Sequence, residues 1–276
     1  WGEDGLLGVA DRECRMCFAL ALWNGKDSIL KERIYGLAGS EGNHGEDVKE
    51  LYYYLDNLPS HYYMEYLYKY PQQEFPYKKL LEENRKRSRE EPEYEILDTG
   101  VFDKDEYFDV SITYAKQNTR DILIRIDIQN RYHKAADITV LPTLWFYNRW
   151  QYDGLEKKPV IISRDRNSVK ATHSRLGSYY YYFETPQYRL FTENETNLEK
   201  VNGTPNRTPF VKDAFHDAII HQANLEALQQ KRSGTKFTPV YHYTIAAGET
   251  RSLYLRLSNR VLENPFANDP DRKRVV

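Results

Sequence analysis

Between positions 122 and 128 the chain alternates, with Ile122, Ile124, Ile126 and Ile128 set against Leu123, Arg125 and Asp127. A period of two gives a strand one apolar face. Leu253, Leu255 and Leu257 alternate with Tyr254 and Arg256 in the same way. With positions 238–246 and the turn Ala247-Gly248-Glu249 before them, they read as an antiparallel hairpin. Strand character recurs over 16–23, 95–102, 107–114, 138–147, 160–163, 178–184 and 188–192. Helical signals are few. Positions 78–91 are rich in good helix formers and stop before Pro92, and 211–228 carry a second helix. The Gly/Asn/Thr/Pro-rich stretch 202–209 reads as a loop. Many short strands with few helices predict a mainly β fold. At 276 residues this is a large antiparallel two-sheet β-sandwich with a few peripheral helices.

The sandwich is expected to occupy 1–263. The polar stretch 264–270 and the basic end Arg272-Lys273-Arg274 then form a linker over 264–276 toward a further domain. A net charge of −2 gives no general attraction to nucleic acid or an anionic membrane. No apolar run approaches the roughly 18 residues needed to span a bilayer. With no secretory signal pattern at its start, the chain is expected to be cytoplasmic. Cys14 and Cys17 have C-x-x-C spacing but no second Cys/His pair nearby, so they read as ordinary packing in an extended segment. The sequons at Asn194, Asn202 and Asn206 read as coincidences in polar loops.

Composition adds one anomaly, 24 tyrosines. Tyr52, Tyr53, Tyr54, Tyr62, Tyr63, Tyr66, Tyr68 and Tyr70 crowd one region, with His61 among them. Outward tyrosines can stack on sugar rings or on another domain. The candidate chemistry lies elsewhere, in Gly42-Asn43-His44-Gly45-Glu46-Asp47, which sets an imidazole and two carboxylates between glycines. Trp1-Gly2-Glu3-Asp4-Gly5 repeats the Glu-Asp beside glycine. Paired carboxylates can serve glycoside hydrolysis, but only when held about 5 to 10 Å apart, and the plainer role is turn chemistry. His216 and His221 stand five apart, a step that does not align them on a helix face, so no metal site is expected. No phosphate-binding glycine motif and no nucleophile elbow appear, so no cofactor is expected either.

Several segments resemble the front part of glucosidase-like proteins related to glycoside hydrolase family 63. They are Trp1–Gly5, Cys17–Asp27, Gly42–Glu50, Tyr68–Gln72, Asp98–Asp103, Leu141–Phe146, Phe191–Asn197 and Lys212–His216. The resemblance implies an N-terminal β-sandwich paired in cis with a C-terminal α/α toroid. In such proteins the toroid holds the catalytic acid and base of an inverting α-glycosidase. Nothing here reads as that toroid, so no catalytic residue is carried over, and the chain alone is expected to be inactive. The resemblance makes it a substrate-shaping partner domain whose ligand is an oligosaccharide. Trp1, Glu3, Asp4, His44, Glu46, Asp47, His61 and Tyr62 are then its substrate-side or interdomain contacts. A free-standing carbohydrate-binding module and a structural or oligomerisation domain are the alternatives.

Overall fold

The computed structural model describes residues 5–37, 48–151 and 157–266. It confirms a mainly β protein built of two antiparallel sheets. The first contains β1 (Leu6–Ala10), β2 (Met16–Trp23), β7 (Ala136–Phe146), β11 (Tyr188–Thr192) and β13 (Lys236–Ile245), in the order β1-β2-β7-β13-β11. The second holds β3 (Tyr52–Asn57), β4 (Tyr63–Pro71), β5 (Tyr107–Asn118), β6 (Asp121–Asn130), β8 (Val160–Ser163), β9 (Ser168–His173), β10 (Gly177–Phe183), β12 (Ser233–Gly234) and β14 (Thr250–Ser258). Its order is β12-β8-β9-β10-β14-β6-β5-β4-β3.

The period-two segments behave as their patterns require. Ile124, Ile126 and Ile128 of β6 and Leu253, Leu255 and Leu257 of β14 enter the core between the sheets. β6 lies between β14 and β5, so its apolar face continues across three strands. Phe18, Leu20 and Leu22 of β2 close the core from the other sheet. β2 is also covered on its outer face. There Ala21 packs into a second cluster with Phe215, Ala218 and Ile219 of α3 (Ala214–His221) and Leu228 of α4 (Leu225–Gln230).

Three expectations are corrected. Positions 95–102 are not a strand. Asp98 accepts the Glu95 N–H at 2.8 Å and the Thr99 hydroxyl donates to the Ile96 carbonyl at 2.6 Å, so local side-chain bonds curl Leu97–Thr99 into a 3₁₀ turn. The helix expected over 78–91 is α1 (Tyr77–Lys86), shorter because the Asn84 amide bonds both the N–H and the carbonyl of Tyr94 and folds the chain back. The helix expected over 211–228 is two. Gln222 and Asn224, both at φ +55°, break it, and the Ala223 N–H closes on the Asp217 carbonyl at 3.1 Å. A short α2 (Leu198–Asn202) and strands β1, β4 and β9 carried no clear sequence signal. Cys17 is buried in β2 as a packing residue, whereas Cys14 is exposed in the preceding turn at φ +51°. No described helix is long and apolar enough to cross a membrane.

Candidate functional site

Alternation along β2 and β7 sends one set of side chains inward and the other onto the outer face of the five-stranded sheet. Register pairs Ala19 with Thr143 and Cys17 with Trp145, and β13 sets Lys236 beside Trp145. Ala19, Thr143, Trp145 and Lys236 floor a cleft of about 480 Å³, a volume within the range of small-molecule sites. Residues 29–36 form one wall, with Asn194, Lys212 and Asp213 opposite. The floor is low at Ala19, and Gly5 lies directly on it. A Cβ at Gly5 would sit 2.3 Å from the Ala19 Cβ and 3.1 Å from the Trp145 ring, so only glycine lets the backbone pass there.

The wall is anchored from several directions. Lys31 and Leu22 exchange backbone hydrogen bonds of 2.9 and 3.0 Å, and the Leu6 N–H donates to the Glu32 carbonyl at 3.0 Å. The Lys236 ammonium donates to Glu32 at 2.8 Å and to the Lys212 carbonyl at 3.0 Å, and lies 5.0 Å above the Phe215 ring. Behind the wall is a buried polar cluster. Lys31 pairs with Glu50, both essentially inaccessible, and lies 4.1 Å over the Phe75 ring. The Tyr70 hydroxyl donates to Asp27 at 3.1 Å. Burial pushes both the Asp27 and the Glu50 carboxyls up, against the pull of Lys31. The Tyr68 hydroxyl faces Glu50 without closing a hydrogen bond, and burial pushes this phenol well up.

The carboxylates in the lining are Glu32 and Asp213. Asp213 is engaged by Lys200 at 2.8 Å and by the Asn197 amide at 3.0 Å. Its burial favours the neutral form, but these donors outweigh burial and hold the carboxyl below its ordinary value. A general acid needs the opposite shift. Among the described residues the cleft offers hydrogen-bonding groups and the Trp145 ring.

Trp1, Glu3, Asp4, His44, Glu46 and Asp47 lie outside the described residues. Their attachment points are described. Gly5, which ends the first acidic segment, and Gly36, which precedes the second, both line the cleft. His61 (at φ +54°) and Tyr62 sit at the exposed turn between β3 and β4, and neither lines the cleft. The tyrosine-rich region divides by alternation. Tyr66, Tyr68 and Tyr70 belong to the core, whereas Tyr53, Tyr54 and Tyr62 are exposed along the β3 edge. The sequence reading gave no individual role to Ala19, Thr143 or Trp145, and missed Lys236, for which no motif exists.

His216 and His221 do meet, contrary to the helical-spacing argument. Their rings are 5.6 Å apart, and ligand atoms of His216, Asp217 and His221 lie within 4.8 Å of one another. The helix ends at His221, so the regular helical spacing no longer fixes where its side chain lies. His216 Nδ1 accepts the Leu30 N–H at 3.3 Å. The trio brings together ligand types that suit a transition metal, with His216 Nδ1 also within reach of the Leu30 N–H. Asn194 is buried, with its amide donating to the Phe146 carbonyl at 2.9 Å, which suits packing and not glycan attachment.

No protein-family model matches the chain. It is similar to Uncharacterized protein YMR196W of Saccharomyces cerevisiae, 38% identical over 296 residues. The match covers 94% of this chain and 27% of the yeast protein, so the chain spans about a quarter of that relative's length.

Proposed function

We propose that this chain is a non-catalytic β-sandwich domain of a longer protein resembling glycoside hydrolases of family 63. It packs on a helical toroid and shapes one side of that toroid's sugar pocket. The observation that carries the reading is convergence. Segments singled out for family resemblance supply Gly5, Ala19, Ala21, Thr143, Trp145, Asn194, Lys212 and Asp213, and all of these line one cleft. Strand register accounts for Ala19, Thr143 and Trp145 lying together, and Gly5, Asn194, Lys212 and Asp213 join them from outside the strands. The length of the yeast relative, most of which lies outside the match, leaves room for a second domain.

The test joins the chain to the remainder of its full-length protein and measures release of glucose from α-linked oligosaccharides. The joined protein is expected to turn over and the chain alone to be inactive. Ile29→Trp, at an exposed position of the lining, should lower turnover while leaving the fold intact. Absence of hydrolysis by the joined protein on every α-glucoside tried would remove the reading.

A further inference from the structure

Lys49 and Glu50 are neighbours of opposite charge, and both side chains are buried. Successive residues of an extended segment point to opposite sides, and these two do. Lys49 reaches Glu93 and, at 2.8 Å, Glu95. Glu50 reaches Lys31, behind the cleft wall. The backbone beside them is joined weakly. Gly36 and Val48 make an isolated antiparallel bridge, and the Lys49 N–H donates to the Tyr35 carbonyl at 3.0 Å. So short a pairing specifies register poorly, and a slip of one residue sends every side chain to the other face.

The charge order makes that slip costly. Moving Glu50 into the place of Lys49 would set it against Glu93 and Glu95. Moving Lys49 into the place of Glu50 would set it against Lys31. A buried ion pair is seldom there for stability, since an apolar pair of similar size does as well or better. Its attested use is the choice of one register over another.

We propose that the Lys31–Glu50 and Lys49–Glu93/Glu95 contacts form a register lock on the segments that enter and leave residues 38–47. Lys31, Lys49 and Glu50 are then positioning residues for the cleft. The lock fixes where Tyr35 and Gly36 stand in the lining, and so where the Gly42–Asp47 segment is attached. The inference does not depend on the glycosidase reading, and its test needs no sugar.

The test uses the full chain carrying Cys14→Ser, with paired cysteines as register probes. Gly36→Cys with Val48→Cys reports the observed register. Leu37→Cys with Val48→Cys reports the slip that carries residue 50 toward Glu93 and Glu95. A disulfide closes only when the two Cβ atoms face each other within a few ångströms. The first pair should close and the second stay reduced. Exchanging the charges with Lys49→Glu and Glu50→Lys should invert the pattern. Lys31→Met, Lys49→Met and Glu50→Leu together keep the volume and remove the charge from both contacts, and should lower the ratio of the first disulfide to the second by about tenfold while melting cooperatively. If this apolar variant folds and only the first pair still closes, the lock is overturned. The apolar variant decides the matter even if the charge-exchanged one fails to fold.

Discussion

The outer face of the five-stranded sheet and the β3–β4 edge of the nine-stranded sheet both attract attention, for opposite reasons. The edge draws it by local density, with tyrosines crowded into two adjacent strands. The cleft face has no local signal and draws it by convergence, since Gly5, Ala19, Thr143, Asn194 and Asp213 come from five separate stretches of chain. Alternation explains most of the edge. Tyr66, Tyr68 and Tyr70 fill the core, and Tyr52, Tyr54 and Tyr66 pack ring edge to ring face at 6.0 and 5.1 Å. Register explains the Ala19–Thr143 floor of the cleft but not the arrival of Gly5, Asn194 and Asp213 there. Residue density is a property that secondary structure can account for, and long-range convergence is not.

The contrast can be broken by mutation. Tyr68→Ala should cost about 3–5 kcal/mol in urea unfolding, as for other large aromatic deletions in a core. A loss near zero would return Tyr68 to the surface. Lys31→Met should cost a comparable amount, about 3–5 kcal/mol, because it leaves Glu50 buried without its cation. Recovery when Glu50→Leu is added would show that the single loss came from the stranded charge. Gly5→Ala should cost about 1–3 kcal/mol by forcing a methyl group against Ala19 and Trp145. An unchanged Tm would mean that the chain does not cross the cleft floor closely.

A pH series sharpens the cleft side. Burial raises the Asp27 carboxyl in the folded chain, outweighing Lys31 and Tyr70. A raised folded pKa contributes stability that is full below the unfolded value, about 3.9 for Asp, and is lost as pH rises through the folded value. Wild type should therefore lose stability relative to Asp27→Asn as pH rises through that window. Parallel stability curves across the window would remove the raised carboxyl. The smallest effect belongs to the edge. Tyr54 is 74% exposed and keeps ring contacts with Tyr52 and Tyr66, so Tyr54→Ala should cost about 0.5–1.5 kcal/mol. If the chain binds an oligosaccharide in calorimetric titration and Tyr54→Ala abolishes it while Ile29→Trp in the cleft does not, function moves from the cleft to the edge.

Much of the fold was legible in sequence because strand alternation is a nearest-neighbour property. The isoleucines of β6 and the leucines of β14 announce both the strands and the face they bury. β1 and β9 were not legible because they are short and lack a clean alternation, and the 95–102 segment misled because its apolar residues coil around local side-chain bonds. The candidate site was legible only in pieces. Gly5 was flagged for its acidic neighbours, but its role over Ala19 follows from a distance that no spacing encodes.

Taken alone, the sequence determined a tyrosine-rich antiparallel β-sandwich with few helices, because hydrophobic period and turn chemistry act over a few residues. Tertiary structure alone decided which tyrosines are core, that His216 meets His221, and that alternating charges at Lys49 and Glu50 face different partners. It also decided that one sheet face gathers distant segments into a cleft. These are outcomes of register and of packing between elements far apart in the chain. Their energies depend on burial and distance, which come into being only when the sheets close on each other.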